Sequence, residues 1–190
     1  MKRFFDLAVV IVSAPLWVPM MMLIALSVLV ADGRPVIFRD RRAGKDGKSF
    51  TMFKFRTMTV GDGPDAERLT AFGRWLRKTA LDELPELWNV MKGEMSLVGP
   101  RPLPVRYLER YTPEEMRRHE VLPGMTGWAQ VHGRNAIDWE EKFRYDLDYV
   151  DNHSLWLDLK IMLLTVGELF RTQDVNHAGE TTMGEFRGAK

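Results

Sequence analysis

The chain has no cysteine, only four histidines in 190 residues and a formal net charge of just +1. Without cysteine it has no disulfide bond, no thiolate zinc site and no thiol nucleophile. The histidines show no paired metal spacing, and they are His119, His132, His153 and His177. The near-zero charge argues against a general nucleic-acid-binding protein, which is normally strongly basic.

A complete P-loop is also missing. Residues 44–49 read GKDGKS and end like that phosphate-binding motif, but Arg42 stands where its first glycine is required. Because the loop geometry depends on this glycine, the pattern argues against a nucleoside triphosphatase of the P-loop type.

Charged residues are absent from one long segment, residues 7–31. As a helix this segment is about 37 Å long, enough to cross a bilayer core of about 30 Å. It stands out because the mean hydropathy of the whole chain is -0.23, typical of a soluble domain. Three interpretations compete: a cleaved signal peptide, a straight membrane anchor, and a re-entrant hairpin that enters and leaves through the same face.

Flanking charge and proline favour the hairpin. Basic residues precede the run at Lys2 and Arg3 and follow it from Arg34 onward, and such flanks prefer the cytoplasmic side. Pro15 lacks an amide donor and disrupts the preceding helical turn, so we expect a bend here. The hydroxyl of Ser13 is expected to bond to a freed carbonyl.

A turn at Asp32 and Gly33 separates residues 1–33, the membrane segment, from residues 34–190, the folded domain. Strands are predicted at residues 35–38 and 49–55, around a turn at 44–47. Helices are predicted at residues 66–79, from Asp82 onward, at 112–123, at 139–151 and at 155–170. The expected class is α+β, mostly helical, with a short β-hairpin.

Two adjacent carboxylates, Asp82 and Glu83, are followed one helical turn later by Glu86. At the start of a helix the dipole keeps Asp82 ionised, and adjacent carboxylates offer oxygen ligands to Mg²⁺. A magnesium-binding carboxylate pair points to phosphate chemistry. The alternative is an acidic first turn that only complements the helix dipole.

Several basic side chains lie in turns or near the ends of elements, where they suit a diphosphate. They are Lys54, Arg56, Arg77, Lys78, Arg101 and Arg134. Arg101 stands between two prolines, which lowers the entropy lost when its side chain holds a phosphate. The alternative is an ordinary solvated charged surface.

Five motifs together resemble the monotopic phosphoglycosyl transferases, also called the bacterial sugar transferase family. They are residues 2–6 (KRFFD), 53–58 (FKFRTM), 81–90 (LDELPELWNV), 95–103 (MSLVGPRPL) and 123–131 (PGMTGWAQV). Their order and spacing cover almost the whole chain, which is similar to the small members that consist of the catalytic domain alone.

The resemblance implies transfer of a sugar phosphate from a UDP-sugar to undecaprenyl phosphate, with release of UMP. It implies that Asp82 is the nucleophile, that Asp82 and Glu83 hold Mg²⁺, and that an aspartyl-phosphosugar forms. The implied substrate-binding residues are Lys54, Arg56, Arg77, Arg101, Gln130 and Arg134.

The resemblance also implies a location: a re-entrant helix and amphipathic interfacial helices at the cytoplasmic face of the bacterial inner membrane, with membrane lipid and downstream glycosyltransferases as partners. The chain departs from the family pattern at Ala14, Asp40 and His132, where serine, glutamine and asparagine are expected. Residues 179–188 are similar to the ends of members that use acetamido sugars such as diacetylbacillosamine.

Two other functions fit parts of the pattern. A non-catalytic module that binds anionic lipid through the basic block at residues 34–56 explains the apolar run equally well. It leaves Asp82, Glu83 and Arg101 without a role. A secreted hydrolase with a cleaved leader has no supporting pattern of serine, histidine and carboxylate.

Overall fold

The computed structural model describes residues 1–133, 137–170 and 184–188. The chain forms two units, the first from Met1–Asp40 and Met52–Lys92 and the second from Arg41–Thr51 and Gly93–Lys190. Most described residues are helical and the strands are short, which confirms the mostly helical α+β class. The division of the chain at residue 33 stays a prediction about membrane insertion.

The N-terminal segment forms two helices, α1 at Lys2–Val12 and α2 at Ala14–Asp32. They are separated at Ser13 because Pro15 has no amide hydrogen to continue the helical ladder. The Ser13 hydroxyl donates to the Val9 carbonyl at 2.6 Å, and the Trp17 indole donates to the Val10 carbonyl at 2.9 Å. The Val9 carbonyl also keeps its bond from the Ser13 amide at 3.0 Å, so the freed carbonyl is that of Val10, to which the Ser13 hydroxyl donates at 3.3 Å. The predicted break and a hydroxyl hydrogen bond to a freed carbonyl are therefore confirmed.

Helix α2 is apolar on all sides, yet its buried residues are only Ile24 and Val28. Leu16 is 78% exposed and Val30 is 79% exposed. By length and composition, α2 is the one helix in the described ranges that qualifies for crossing a membrane. An exposed apolar surface of this extent favours lipid over water as its surroundings.

Two strands follow, β1 at Ile37–Ala43 and β2 at Ser49–Phe55, and they pair in a two-stranded sheet. The second strand was predicted with these bounds. The first begins later and runs further than predicted, because its pairing continues through charged residues that the apolar pattern did not include.

The prediction of a single helix at residues 66–79 is wrong. The structure has a short helix α3 at Asp65–Arg68 and a separate helix α4 at Ala71–Lys78. Leu69 forms a β-bridge with Met58, and Thr70 caps α4 by accepting a hydrogen bond from the Gly73 amide at 2.9 Å. The bridge and the cap end one helix and begin the next, although the helical spacing of apolar residues in the sequence continues through both.

The core of the first unit joins α2 to the elements after it. Ile24 and Val28 share one buried cluster with Phe55 of β2 and Leu76 of α4. Helix α4 packs closely against the backbone of Thr57 because Gly73 has no side chain. A Cβ at this position would lie 2.0 Å from the Thr57 carbonyl oxygen.

The helix predicted from Asp82 begins later. Residues Leu81–Glu83 form a 3₁₀ turn, and helix α5 is Glu86–Lys92. Pro85 has no amide to donate to the Leu81 carbonyl, so the Leu84 amide bonds to it instead, at 3.4 Å. At the other end of α5, Arg3 donates to the carbonyls of Val90 and Met91, as a basic side chain at a helix C-terminus does.

The second unit has a parallel pair of short strands, β3 at Ser96–Val98 and β4 at Gly124–Thr126. Between them lies helix α6 at Pro113–Met116, which continues as a 3₁₀ turn through His119. The predicted start of this helix is confirmed, because Thr112 and Glu115 form a capping box. Its predicted extent to residue 123 is wrong, because the chain leaves the helix to reach β4.

Three helices complete the described chain: α7 at Trp128–Val131, α8 at Trp139–Asn152 and α9 at Leu155–Phe170. The last two confirm predicted helices. Asp158 of α9 is 1% exposed and accepts a hydrogen bond from the Tyr149 hydroxyl at 2.7 Å. The opposite side of α9 exposes large apolar side chains, with Trp156 82% exposed and Leu163 74% exposed. Helix α9 therefore has one side packed on the protein and one apolar side that is uncovered.

A buried histidine makes the second unit sensitive to acid. His119 is 5% exposed, and its Nδ1 lies 3.0 Å from the Gly44 carbonyl oxygen, so Nδ1 carries the proton. Its Nε2 is buried and has no hydrogen-bond partner among the described residues. Burial, reinforced by the nearby Arg118 guanidinium, lowers the pKa of His119 to about 4.

We expect the stability of the protein to fall as the pH is lowered from 6.5 to 4. In this range the unfolded chain protonates His119 and the folded chain does not, which costs about 3 kcal/mol in total. Chemical unfolding of the detergent-solubilised protein at several pH values measures the effect. His119→Gln should flatten the dependence of the free energy of unfolding on pH. An unchanged slope in His119→Gln would contradict this assignment.

Candidate active site

Asp82 lies in the middle of the 3₁₀ turn and is only 7% exposed. The residue two positions before it, Ala80, has a left-handed backbone (φ 55°, ψ 16°), which costs about 1 kcal/mol for a residue other than glycine. Two hydrogen bonds hold this conformation, from the Ala80 amide to the Arg77 carbonyl and from the Glu83 amide to the Ala80 carbonyl, each 3.2 Å. A strained and fixed turn of this kind is typical of a functional site.

Lys54 connects the two glutamates that flank this turn. Its Nζ lies 2.6 Å from Glu83 Oε1 and 3.1 Å from Glu86 Oε1. The side chains of Lys54, Glu83 and Glu86 are 15%, 18% and 2% exposed, so water screens these ion pairs weakly. The Phe53 amide donates to the Asn89 side chain at 3.2 Å, which ties β2 to α5 next to Lys54. The ammonium therefore fixes the direction of Glu83.

The structure thus brings together Asp82, Glu83 and Lys54, three of the predicted site residues. It adds Glu86, which the sequence pattern identified as part of the acidic cluster but not as a site residue. Lys54 was predicted to hold a substrate phosphate, and its visible partners are carboxylates. Any role of Lys54 toward substrate stays a prediction.

Two other predicted basic residues of the first unit have structural partners. The Nε of Arg77, in the last turn of α4, donates to the Thr57 hydroxyl at 2.9 Å. Arg56 donates to carbonyls at the end of α2, those of Asp32, Gly33 and Arg34. Arg56 therefore caps a helix C-terminus. Its contact with substrate stays a prediction.

In the second unit, the loop around Arg101 is held through its backbone. Four successive carbonyls accept hydrogen bonds from the rest of the unit. The bonds are Gly124 amide to Pro100 (3.0 Å), Arg118 guanidinium to Arg101 (2.8 Å), Arg42 guanidinium to Pro102 (3.4 Å) and Ala43 amide to Leu103 (3.0 Å). The two prolines have no amide that needs a partner. The loop is therefore rigid. The side chain of Arg101, which is half-buried, extends from a backbone that is held in place.

The remaining predicted residues belong to the segment after β4. The Gln130 amide group donates to the Met125 carbonyl at 3.0 Å, so this side chain supports the preceding loop. Arg134 lies outside the described residues, as do residues 179–183 of the predicted sugar-specific tail. His132, one of the departures from the family pattern, is exposed and stacks on Tyr145 at 4.7 Å between ring centres.

The carboxylates of Asp82 and Glu83 are hard oxygen donors of the kind that Mg²⁺ prefers. In the described ranges, no group of three His, Cys, Asp or Glu side chains is arranged to hold a metal ion. Mg²⁺ commonly takes one or two carboxylates from a protein and completes its shell with water and substrate phosphates. The donor set therefore fits a magnesium ion that is bound together with a phosphate substrate.

Comparison with known proteins finds relatives that are named for transfer of a sugar phosphate to undecaprenyl phosphate. The chain is 43% identical to a UDP-glucose:undecaprenyl-phosphate glucose-1-phosphate transferase of Xanthomonas campestris pv. campestris, over 82% of this chain and 36% of the relative. It is 37% identical to a UDP-N-acetylgalactosamine-undecaprenyl-phosphate N-acetylgalactosaminephosphotransferase of Aeromonas hydrophila, over 87% of this chain and 42% of the relative. The match therefore spans less than half the length of each of these two relatives.

A third relative has a similar length. The uncharacterized sugar transferase EpsL of Bacillus subtilis (strain 168) is 47% identical over the whole of this chain and 96% of the relative. A family model described as "Bacterial sugar transferase" matches residues 1–172, which include every described candidate site residue. The chain therefore belongs to the bacterial sugar transferase family.

Proposed function

We propose that the protein transfers a sugar 1-phosphate from a UDP-sugar to undecaprenyl phosphate and releases UMP. The observation that carries this proposal is the fixed turn of Asp82, with Glu83 oriented by Lys54, in a member of the bacterial sugar transferase family. Its relatives include enzymes named for this transfer with glucose and N-acetylgalactosamine. The panel of UDP-sugars described below tests which sugar this protein transfers.

The reaction proceeds in two displacements at the same phosphorus. A carboxylate oxygen of Asp82 attacks the β-phosphorus of the UDP-sugar, and the bond from that phosphorus to the bridging oxygen breaks, so UMP leaves with this oxygen. A phosphate oxygen of undecaprenyl phosphate then attacks the phosphorus and breaks its bond to Asp82. The carboxylate is regenerated and no proton has to move.

The other site residues orient groups and balance charge. Lys54 orients the Glu83 carboxylate through their ion pair and offsets the negative charge of the acidic turn. The arginines Arg77 and Arg101 bind phosphate oxygens, for which a guanidinium on a rigid element is well suited. Gln130 and Arg134 act on the nucleotide or sugar side.

Asp82 and Glu83 are the residues that would hold Mg²⁺. When bound, the ion neutralises diphosphate charge and makes UMP a better leaving group. The support for this assignment is the pair of adjacent hard oxygen donors in one turn.

The first segment is a re-entrant hairpin, and α9 lies along the membrane surface with its apolar side in lipid. The support is the break at Ser13, where the Val10 carbonyl accepts from the Ser13 hydroxyl and the Trp17 indole. The uncovered apolar side of α9 and the basic residues on both sides of residues 7–31 support it as well. The catalytic residues then face the cytoplasm at the bacterial inner membrane, where UDP-sugars are available.

The natural absence of cysteine makes this topology easy to test. Single cysteines introduced near residue 2 and near residue 45 should react with an impermeant reagent from the same face of the membrane. Sealed vesicles of both orientations provide the comparison. Labelling of the two positions from opposite faces would exclude the hairpin and support a straight span.

A panel of UDP-sugars tests the reaction. We expect release of UMP from at least one of UDP-glucose, UDP-galactose, UDP-N-acetylgalactosamine and UDP-diacetylbacillosamine, dependent on undecaprenyl phosphate for turnover and on Mg²⁺. Chelation of Mg²⁺ should stop the reaction and its return should restore it. A protein that binds anionic vesicles but releases no UMP from any sugar of the panel would support the lipid-binding module instead.

A further inference from the structure

A short segment near the end of the chain, residues 184–188, is held on the second unit by an apolar anchor. Phe186 is 4% exposed, whereas Glu185 and Arg187 beside it are exposed. The centre of its ring lies 5.0 to 5.7 Å from the centres of four other aromatic rings, which we call the aromatic socket: Tyr107, Tyr111, Trp139 and Phe143. A ring that is buried against several others contributes strongly to packing. Phe186 therefore anchors this segment.

The backbone around Phe186 is held as well. Its amide donates to the Tyr107 hydroxyl at 3.3 Å, and the Trp139 indole donates to the Gly184 carbonyl at 3.1 Å. The Arg110 guanidinium donates to the Phe186 carbonyl. Residues 184–188 form neither helix nor strand, so side chains of the second unit satisfy these backbone groups. The second unit thus binds the segment much as a receptor binds a short peptide.

Two rings of the socket also contact Arg118. Its guanidinium lies 5.9 Å from the centre of the Tyr111 ring and 5.7 Å from that of the Phe143 ring, which are cation–π distances. The Phe186 ring stacks on Tyr111 at 5.5 Å and meets Phe143 edge to face at 5.0 Å. Phe186 therefore supports the two rings against which Arg118 packs.

Arg118 in turn holds the loop of Arg101. Its Nη2 donates to the Arg101 carbonyl at 2.8 Å and lies 2.7 Å from Asp146 Oδ2. Leu103, two residues after Arg101, is 7% exposed and belongs to the same buried cluster as Phe186. One polar route and one apolar route thus connect Phe186 to the backbone from which the Arg101 side chain extends.

We propose that Phe186 is a positioning residue for the reaction: by filling the aromatic socket, it keeps the Arg101 loop in the geometry that binds a substrate phosphate. This inference rests on the proposed function, in which Arg101 binds phosphate oxygens. Phosphate recognition by a guanidinium depends on direction, because its donors form a planar fork. A displacement of the loop by about 1 Å is therefore enough to weaken binding in a protein that stays folded.

Calorimetric titration of the full chain in nanodiscs tests the proposal without turnover. One arm uses UDP and the other uses a short-chain polyprenyl phosphate, and Arg101→Gln identifies which of the two depends on Arg101. Phe186→Ala should weaken binding of that same ligand about ten-fold and change the other less than about twofold. Arg187→Ala, at the exposed next residue of the segment, is the matched control and should bind both ligands like the wild type.

A double variant separates positioning from a general loss of stability. With Arg101→Gln already present, Phe186→Ala should weaken binding less than about twofold further, because the side chain that it positions is gone. Loss of folded protein alone would lower the number of binding sites equally in both backgrounds and leave the affinity unchanged. Phe186→Leu keeps most of the apolar volume and should weaken binding about threefold, so it provides the same comparison if the alanine variant does not fold.

Three outcomes would overturn the inference. The Phe186 variants bind both ligands as tightly as the wild type, or they weaken binding equally with and without the Arg101 side chain, or Arg101→Gln affects neither ligand. With UMP release intact in the wild type, each of these results would reject the positioning role and leave the proposed reaction standing. Absence of UMP release from the wild type with every sugar of the panel would reject the proposed function, and this inference with it.

Discussion

Asp82→Asn is expected to lower the rate of UMP release at least about a thousand-fold, because an amide cannot act as the attacking oxygen. The substitution keeps the shape of the side chain within a turn whose backbone is already fixed by its own hydrogen bonds. Folding should therefore change little, and binding of UDP-sugar should be retained. Steady-state kinetics with the preferred UDP-sugar, together with a thermal unfolding scan, measures both effects.

The matched control is Asp65→Asn in the same unit. Asp65 is an exposed carboxylate of α3, 3.8 Å from Arg68, so its loss should change the rate less than about twofold. If Asp82→Asn retained more than a tenth of the wild-type rate, Asp82 would not be the nucleophile. A loss of folding in the variant would be visible in the unfolding scan and is contrary to our expectation.

Lys54→Met should have the second largest effect, on both stability and activity. Removing the ammonium leaves the Glu86 carboxylate, 2% exposed, without its cation at 3.1 Å. Breaking one partner of a buried pair of this kind costs about 3 kcal/mol. Glu83 also loses the contact at 2.6 Å that directs it, so we expect the rate to fall about a hundred-fold. Chemical unfolding and UMP release measure the two quantities.

The double variant Lys54→Met with Glu86→Gln separates the two effects. It removes both charges, so it should recover most of the lost stability but not the activity, because Glu83 still lacks its contact with Lys54. Arg74→Met, at an exposed arginine of α4, is the control for loss of a positive charge in the same unit. Recovery of full activity in the double variant would show that Lys54 acts only through stability.

Local sequence rules predicted the parts of the fold that depend on neighbouring residues. The break at Ser13 follows from Pro15, and the capping box follows from Thr112 and Glu115. Helices α8 and α9 follow from their apolar periodicity. The rules failed where a contact between residues distant in sequence determines an element's boundary or register. Leu69 leaves the helix for a bridge to Met58, and β3 pairs with β4 at a register set by a close approach of Gly99 and Gly124.

The acidic part of the site was predictable, because Asp82 and Glu83 stand in one motif that also carries the family resemblance. The 3₁₀ turn was not expected, although its cause, the missing amide of Pro85, is visible in the sequence. The partners of Lys54 were not predictable, since they come from another element. Nor was the hydrogen bond from the Arg118 guanidinium to the Arg101 carbonyl predictable, because the two residues come from different parts of the second unit.

The most direct test of the proposed mechanism is the mass of the intact protein after incubation with UDP-sugar and Mg²⁺ in the absence of undecaprenyl phosphate. We predict one added phosphosugar per chain, a matching burst of UMP, and loss of the adduct when undecaprenyl phosphate is added. Asp82→Asn should show neither adduct nor burst. If UMP formed only when both substrates were present, and no adduct appeared under any condition, direct transfer without a covalent intermediate would replace the mechanism proposed for Asp82.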